Sequence, residues 1–159
     1  MSTRFVAIDS STKKTGVCLL IDGKLSEYKL LDHSEVSDVE ERIKDMCFHL
    51  LNVLEEWKPD IIYIEDSWSS FNVQTTKLLT RIMGATFGYA IKNNVEWKSM
   101  LPAQWRKLAG IEQSKKKRHE LKQASIDYVK NKYGIDVNDD VADCIALGDA
   151  VCNYYMSFE

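Results

Sequence analysis

The stretch Ile61-Ile62-Tyr63-Ile64-Glu65 constrains the fold more than any other part of the chain. Four strand-forming residues follow one another without polar alternation, the pattern of a strand covered on both faces. Such a strand needs helices above and below it, and its neighbours in sequence supply them. Upstream, Val36, Val39, Ile43, Met46, Leu50, Leu54 and Trp57 recur at helical spacing. They predict a helix from about Ser34 to Trp57, with Ser37 and Glu40 as a capping box and Pro59 as its stop. Downstream, a second helix is predicted over roughly Val73 to Lys92. Gly84, Ala85 and Gly88 form a small-residue patch in it. Glycine weakens a helix, so the patch predicts close approach to another backbone, either the sheet or a second subunit.

The remaining elements fit around this core. Arg4 to Asp9 reads as a strand, Thr15 to Asp22 as a second, and Lys24 to Leu31 as a third, with Asp22-Gly23 as a hairpin turn. Val95 to Leu101 reads as a fifth strand. A short helix follows Pro102, a longer basic one follows Ser114, and a last helix runs from about Asp139 to Tyr155. This order predicts an α/β fold with a mixed sheet and helices on both faces, the element order of ribonuclease H-like proteins. With 159 residues, two prolines and no linker or repeat, residues 1–159 read as a single domain.

Composition excludes several classes. No apolar run approaches the roughly 18 to 20 residues of a membrane span, and the N-terminus lacks the apolar core of a signal peptide. Cys18, Cys47, Cys144 and Cys152 show no CxxC pair and no Cys/His cluster, which disfavours zinc and a disulfide framework. Cys47 and Cys144 fall on apolar stripes and read as buried thiols of a cytoplasmic protein. His33, His49 and His119 have no ligand spacing.

The net charge is −3, yet its distribution is uneven. Between Lys98 and Lys132 stand ten Lys/Arg against three Asp/Glu, leaving eleven bases and twenty-one acids elsewhere. A basic segment on an acidic body fits one directed anionic partner, and fits a solvated helix face as well.

The acids carry the sharper signal. Burying a carboxylate is costly, yet two apolar strands end on one, Asp9 and Glu65. If the two strands are adjacent and parallel, these acids meet at their carboxyl ends, where open α/β sheets bind ligands. In "NDDVADCIALGDA", Asp140 and Asp143 are three apart and share a helix face. Ala142, Ala146 and Gly148 keep that helix slim enough to lie close to the sheet. Asp139 and Asp140 also fit the N-cap of the helix; Asp66 alternates away from Glu65, and Asp149 lies off the acidic face. Clustered hard oxygen donors without His or Cys select Mg²⁺ or Mn²⁺. Two such ions roughly 4 Å apart would clamp the attacking and leaving oxygens of a phosphodiester.

These segments resemble the RuvC family of Holliday junction resolvases. "FVAIDSSTKKTGVCLL" is similar to the family's opening strand and turn, and "IIYIEDSWSSFNVQTTKLLTRIMGATFGYAI" to its Ile-Glu strand end, aromatic-bearing loop, Asn and Gly/Ala-rich helix. "MLPAQWRKLAGI" resembles the segment with a Pro and a downstream Lys, and "NDDVADCIALGDA" the terminal Asp-x-Ala-Asp helix. The matches run in order from Phe5 to Ala150. The resemblance implies a ribonuclease H-like fold, a homodimer, two Mg²⁺ per site and paired nicks in four-way DNA junctions, the activity of a crossover junction endodeoxyribonuclease. It implies metal binding by Asp9, Glu65, Asp140 and Asp143. It implies phosphate-side bases at Lys107 and at one of Lys115, Lys116 or Lys117, with Lys116 the central choice. The loop aromatic at the junction centre falls on Trp68, and the DNA-contacting set extends to Ser69, Asn72, Arg106 and Arg118.

Trp68 sits on a polar loop without periodic apolar neighbours. That suits stacking on a base, and it is also compatible with packing in the core or at a dimer interface. Phe71 and Trp105 read as packing residues. The chain departs from the family in having Ser10-Ser11 after the first Asp, and in the heavy run Lys115-Lys116-Lys117-Arg118, which resembles phage and poxviral members more. Three rivals remain in view: a ribonuclease H-like nuclease for flaps or RNA–DNA hybrids, a branched-DNA binder that does not cut, and a sugar-kinase or actin-like ATPase. The last group shares a hairpin similar to "AIDSSTKKTG", but uses a second domain and a second Asp-Gly-Thr hairpin absent here.

Overall fold

The computed structural model describes residues 1–66 and 72–157, apart from the Met156 side chain. Trp68, Ser69 and Phe71 lie outside the described residues. Five strands form one sheet: β1 (Arg4–Asp9), β2 (Lys14–Ile21), β3 (Lys24–Asp32), β4 (Ile61–Glu65) and β5 (Glu96–Met100), in the order β3-β2-β1-β4-β5. The first three make an antiparallel meander, whereas β4 and β5 run parallel to β1. Parallel neighbours require crossovers. These are helices α1 (Val39–Trp57) and α2 (Val73–Asn93).

Side-chain alternation divides the core between the two faces of the sheet. Val6, Ile8, Ile62 and Ile64 meet α1 and α2. Phe5, Ala7 and Tyr63 meet the other layer, built from α3 (Pro102–Leu108), α4 (Arg118–Tyr133) and α5 (Asp139–Met156). The apolar run of β4 is therefore covered on both sides, as its sequence predicts.

Two boundaries and one cap differ from expectation. Helix α1 starts at Val39, and Asp38 is its N-cap, accepting from the Glu41 N–H at 2.9 Å. Ser34 instead belongs to a turn, its N–H donating to Asp32 Oδ1 at 2.9 Å. The Arg42 guanidinium donates to the Val36 and Thr12 carbonyls at 3.0 and 2.9 Å, holding residues before the helix in a non-helical path. Helix α4 starts at Arg118, so Lys115, Lys116 and Lys117 precede it. Helix α5 is capped by Asn138, whose Oδ1 accepts from the Val141 N–H at 3.0 Å. Neither Asp139 nor Asp140 is the N-cap residue.

The glycines redistribute the expected close contact. A Cβ at Gly84 or Gly88 would meet nothing within 4 Å, so α2 does not use them against the sheet. The close approach occurs at α5. A Cβ on Gly16 of β2 would stand 2.2 Å from the Asp140 carbonyl oxygen, and one on Gly148 would stand 2.5 Å from Leu20 Cδ1. With Ala142 and Ala146 fully buried between them, α5 presses onto β1 and β2, which fixes where its acids project.

Candidate active site

Strands β1 and β4 pair in parallel with Ile8 opposite Ile64, so Asp9 and Glu65 end neighbouring strands at the same edge. Asp140 and Asp143 come to that edge from α5. All four line one cavity of about 670 Å³. The carboxyl ends of parallel strands thus gather acids from three distant segments.

The electrostatics are those of like charges held together. Burial, then the charges of Glu65, Asp143 and Asp140, push Asp9 well above the usual carboxylate range. Burial raises Glu65 to about 7; the Trp105 hydrogen bond opposes that rise and the charge of Asp143 adds to it. Burial raises Asp143 to about 6, against the Ser125 hydroxyl and the charge of Arg106. Asp140 is raised by burial and by Asp139. One oxygen of Asp143, Oδ1, is buried with no hydrogen-bond partner among the described residues. A buried unpaired acceptor is expensive, so this site is built incomplete.

Cations partly offset the charge. Arg106, Arg118 and Lys122 line the cavity. Lys122 pairs with Asp139; burial works to raise Asp139, but the Lys122 hydrogen bond and charge prevail and hold it low. The Arg106 guanidinium lies 4.9 Å from the Trp105 ring centroid, and its Nε is buried without a partner among the described residues. Lys107, Lys115, Lys116 and Lys117 are exposed and do not line the cavity. The structure therefore brings Arg106 and Arg118 from the expected DNA-binding set to the acids, and leaves Lys107 and Lys116 outside. Asn72 is the N-cap of α2, accepting from the Thr75 N–H at 3.1 Å, and Thr75 lines the cavity in its place. Asp66 lines it as well, despite the strand alternation that turns it from Glu65.

Two contributors escaped the sequence reading. Lys122 lies four residues after Arg118, on the same helix face, and that spacing could have found it. Trp105, expected only to pack, donates its indole N–H to Glu65 Oε2 at 2.7 Å; no periodicity signals such a contact.

The donor set fits divalent cations. It is all carboxylate oxygen, it is crowded with negative charge, and it retains an unsatisfied buried oxygen. Among the described residues, no three acid, His or Cys side chains are yet drawn around a single point that could hold an ion.

A sheet of this order, with acids at the ends of β1 and β4 and on α5, is a ribonuclease H-like fold with an acidic edge. The chain belongs to the RuvC family: the family model described as "Crossover junction endodeoxyribonuclease RuvC" matches residues 5–152. Comparison with curated protein sequences returns no match. Among solved structures, the chain is similar to Thermus thermophilus RuvC in complex with a Holliday junction substrate (15% identity, 97% of this chain and 96% of that one, TM-score 0.75). It is similar to the Fowlpox virus resolvase in complex with Holliday junction DNA (15% identity, 97% and 99%, TM-score 0.66). It also resembles the yeast mitochondrial Holliday junction resolvase Ydc2 (20% identity, 98% and 82%, TM-score 0.61).

Proposed function

We propose that this protein is a homodimeric endonuclease that resolves four-way DNA junctions by hydrolysing a phosphodiester in each of two opposed strands. The observation that carries this reading is the convergence of Asp9, Glu65, Asp140 and Asp143 on one cavity. These four would hold Mg²⁺, with Mn²⁺ as a substitute. When bound, such ions lower the pKa of water and neutralise charge on the attacking and leaving oxygens. Arg106 and Arg118 reach the same cavity and present fixed positive charge to a phosphate. Ser10 and Thr75 line the same cavity. The exposed Lys115, Lys116 and Lys117 lie just before α4 and suit the DNA backbone further out, where they add salt-sensitive affinity.

Two opposed cuts in a symmetric junction call for two active sites related by a two-fold axis. Helix α2 offers a surface for that. Gly84, Phe87, Gly88 and Ile91 lie on one outward face, open at both glycines and apolar at the other two. A second copy of the chain could approach closely there. Among the described residues no helix is long and apolar enough to cross a membrane. The four free cysteines suit the reducing cytoplasm.

Incubation with a labelled four-way junction, a flap, a linear duplex and an RNA–DNA hybrid, with and without Mg²⁺, tests the reading. Symmetric, Mg²⁺-dependent nicks in the junction are expected. Cleavage of the hybrid alone, or ATP turnover with no DNA cleavage, would overturn it.

A further inference from the structure

Three of the four acids are aspartates on regular backbone, and the fourth is a glutamate. A glutamate has one more rotatable bond than an aspartate, and its terminal torsion is broad. Something must choose its carboxylate orientation if the site is to be ready before substrate arrives. The indole N–H of Trp105, 2.7 Å from Glu65 Oε2, is placed to do so.

The placement follows from the fold. Strand β5 ends at Met100, directly beside Glu65 in the parallel register. The chain turns at Leu101, Pro102 opens α3, and one helical turn later Trp105 lies back under the strand end. The Trp105 ring is fully buried in the core between sheet and α5, and Arg106 covers it at 4.9 Å. The ring therefore cannot swing away. The core asks only for bulk at this position, and a Phe or Leu would supply it. The N–H is what bulk does not explain. It is a donor with no acceptor lone pair, so it holds one carboxylate oxygen from the core side, while Asp9 meets the Glu65 carboxyl by a second hydrogen bond.

The two other described tryptophans also find acceptors, Trp57 with Glu27 at 3.2 Å and Trp97 with Thr86 at 2.9 Å. Neither acceptor lines the acidic cavity. We propose that Trp105 is a positioning residue that sets the orientation of the Glu65 carboxylate for divalent-cation binding. The role rests on the nuclease reading for its purpose, but its test does not need DNA.

The test measures Mn²⁺ binding by calorimetry on the DNA-free full chain of wild type, W105F, E65A and the double variant, with melting temperature recorded alongside. W105F is expected to weaken Mn²⁺ binding about tenfold, in the range seen when a partner of a metal ligand is lost. In the E65A background the same substitution is expected to change it less than about twofold, since nothing is left to orient. Junction affinity measured without divalent cations should stay within about twofold while cleavage falls roughly 10- to 100-fold. Unchanged Mn²⁺ binding in W105F, or an equal loss with and without Glu65, would overturn the proposal. If W105F does not fold, the indole N–H resonance of Trp105 in the wild type and in E65A decides. A clear shift and faster exchange in E65A support the contact, and an unmoved resonance refutes it. A wild-type protein that binds Mn²⁺ with this coupling yet cuts no junction would remove the proposed function and leave the positioning role standing.

Discussion

Helix α5 carries two buried aspartates six residues apart, and they live in opposite worlds. Asp149 accepts from the Tyr128 hydroxyl at 2.9 Å and the Tyr133 hydroxyl at 2.5 Å, and pairs with Lys132 at 2.7 Å. Every partner comes from α4, so the cluster fastens α4 to α5. Asp143 has Asp9, Glu65 and Asp140 around its cavity and keeps Oδ1 without a partner among the described residues. Burial raises Asp143 to about 6, which marks a carboxylate its surroundings do not welcome as an anion. A buried carboxylate that is fully satisfied is scaffold. One that is crowded and under-satisfied stores a demand for cations. The same helix thus holds a structural end and a reactive end.

The comparison can be broken first at the reactive end. D143N is expected to reduce junction cleavage by at least ~1000-fold, because several kcal/mol of charge stabilisation depend on that carboxylate. The same variant should raise the melting temperature of the metal-free protein, since it relieves like-charge crowding. A metal-free D143N that melts lower than wild type would contradict the contrast.

At the structural end the sign reverses. D149N should cost about 2 to 3 kcal/mol of stability, because it leaves Lys132 and two phenols facing a neutral amide. Cleavage per folded molecule should stay within about threefold. Denaturant titration and a cleavage assay on the same sample separate the two quantities, and lost cleavage in fully folded D149N would tie Asp149 to the reaction.

The third test uses pH. Glu65 and Asp143 are raised to about 7 and about 6, so the folded metal-free protein holds protons that the unfolded chain, titrating near pH 4, releases. Their contribution is fully present below about pH 4 and is lost as pH rises through about 6 and about 7. The metal-free melting temperature should therefore fall between pH 5 and pH 8, on the order of 5 °C. Added Mg²⁺, which favours the ionised acids, should reverse the trend. A flat metal-free profile would mean that the acids are not crowded.

The smallest effect concerns the cations. Arg118 lines the cavity and Lys116 does not. R118A should slow cleavage of bound junction about tenfold or more, whereas K116A should weaken binding a few-fold at moderate salt and leave the cleavage rate of bound junction nearly unchanged. Equal effects of the two on the rate would return Lys116 to the reacting phosphate.

Much of this site was legible in the chain. Strand alternation and the apolar run of β4 put Asp9 and Glu65 at strand ends, and three-residue spacing put Asp140 and Asp143 on one helix face. The small residues of α5 foretold its close seat. The choice of Arg106 over Lys107 was not legible. Arg106 and Lys107 are adjacent on a short helix, and neighbouring helical residues point about 100° apart, so a shift of one position exchanges the cavity for solvent. Of the two neighbours open to Gly84 and Gly88, the sheet is excluded; the close approach to the sheet belongs to Gly16 and Gly148, because only the docked positions of α5 and β2 reveal where the two meet.

By itself the sequence determined that Asp9 and Glu65 end apolar strands and that Asp140 and Asp143 share a helix face, since burial on two faces and periodicity are local properties of each segment. Tertiary structure alone decided that Arg106 and not Lys107 faces those carboxylates, how closely α5 rides on Gly16, and that the Trp105 N–H meets Glu65. Each of these depends on the distance between segments far apart in the chain, and no local pattern encodes such a distance.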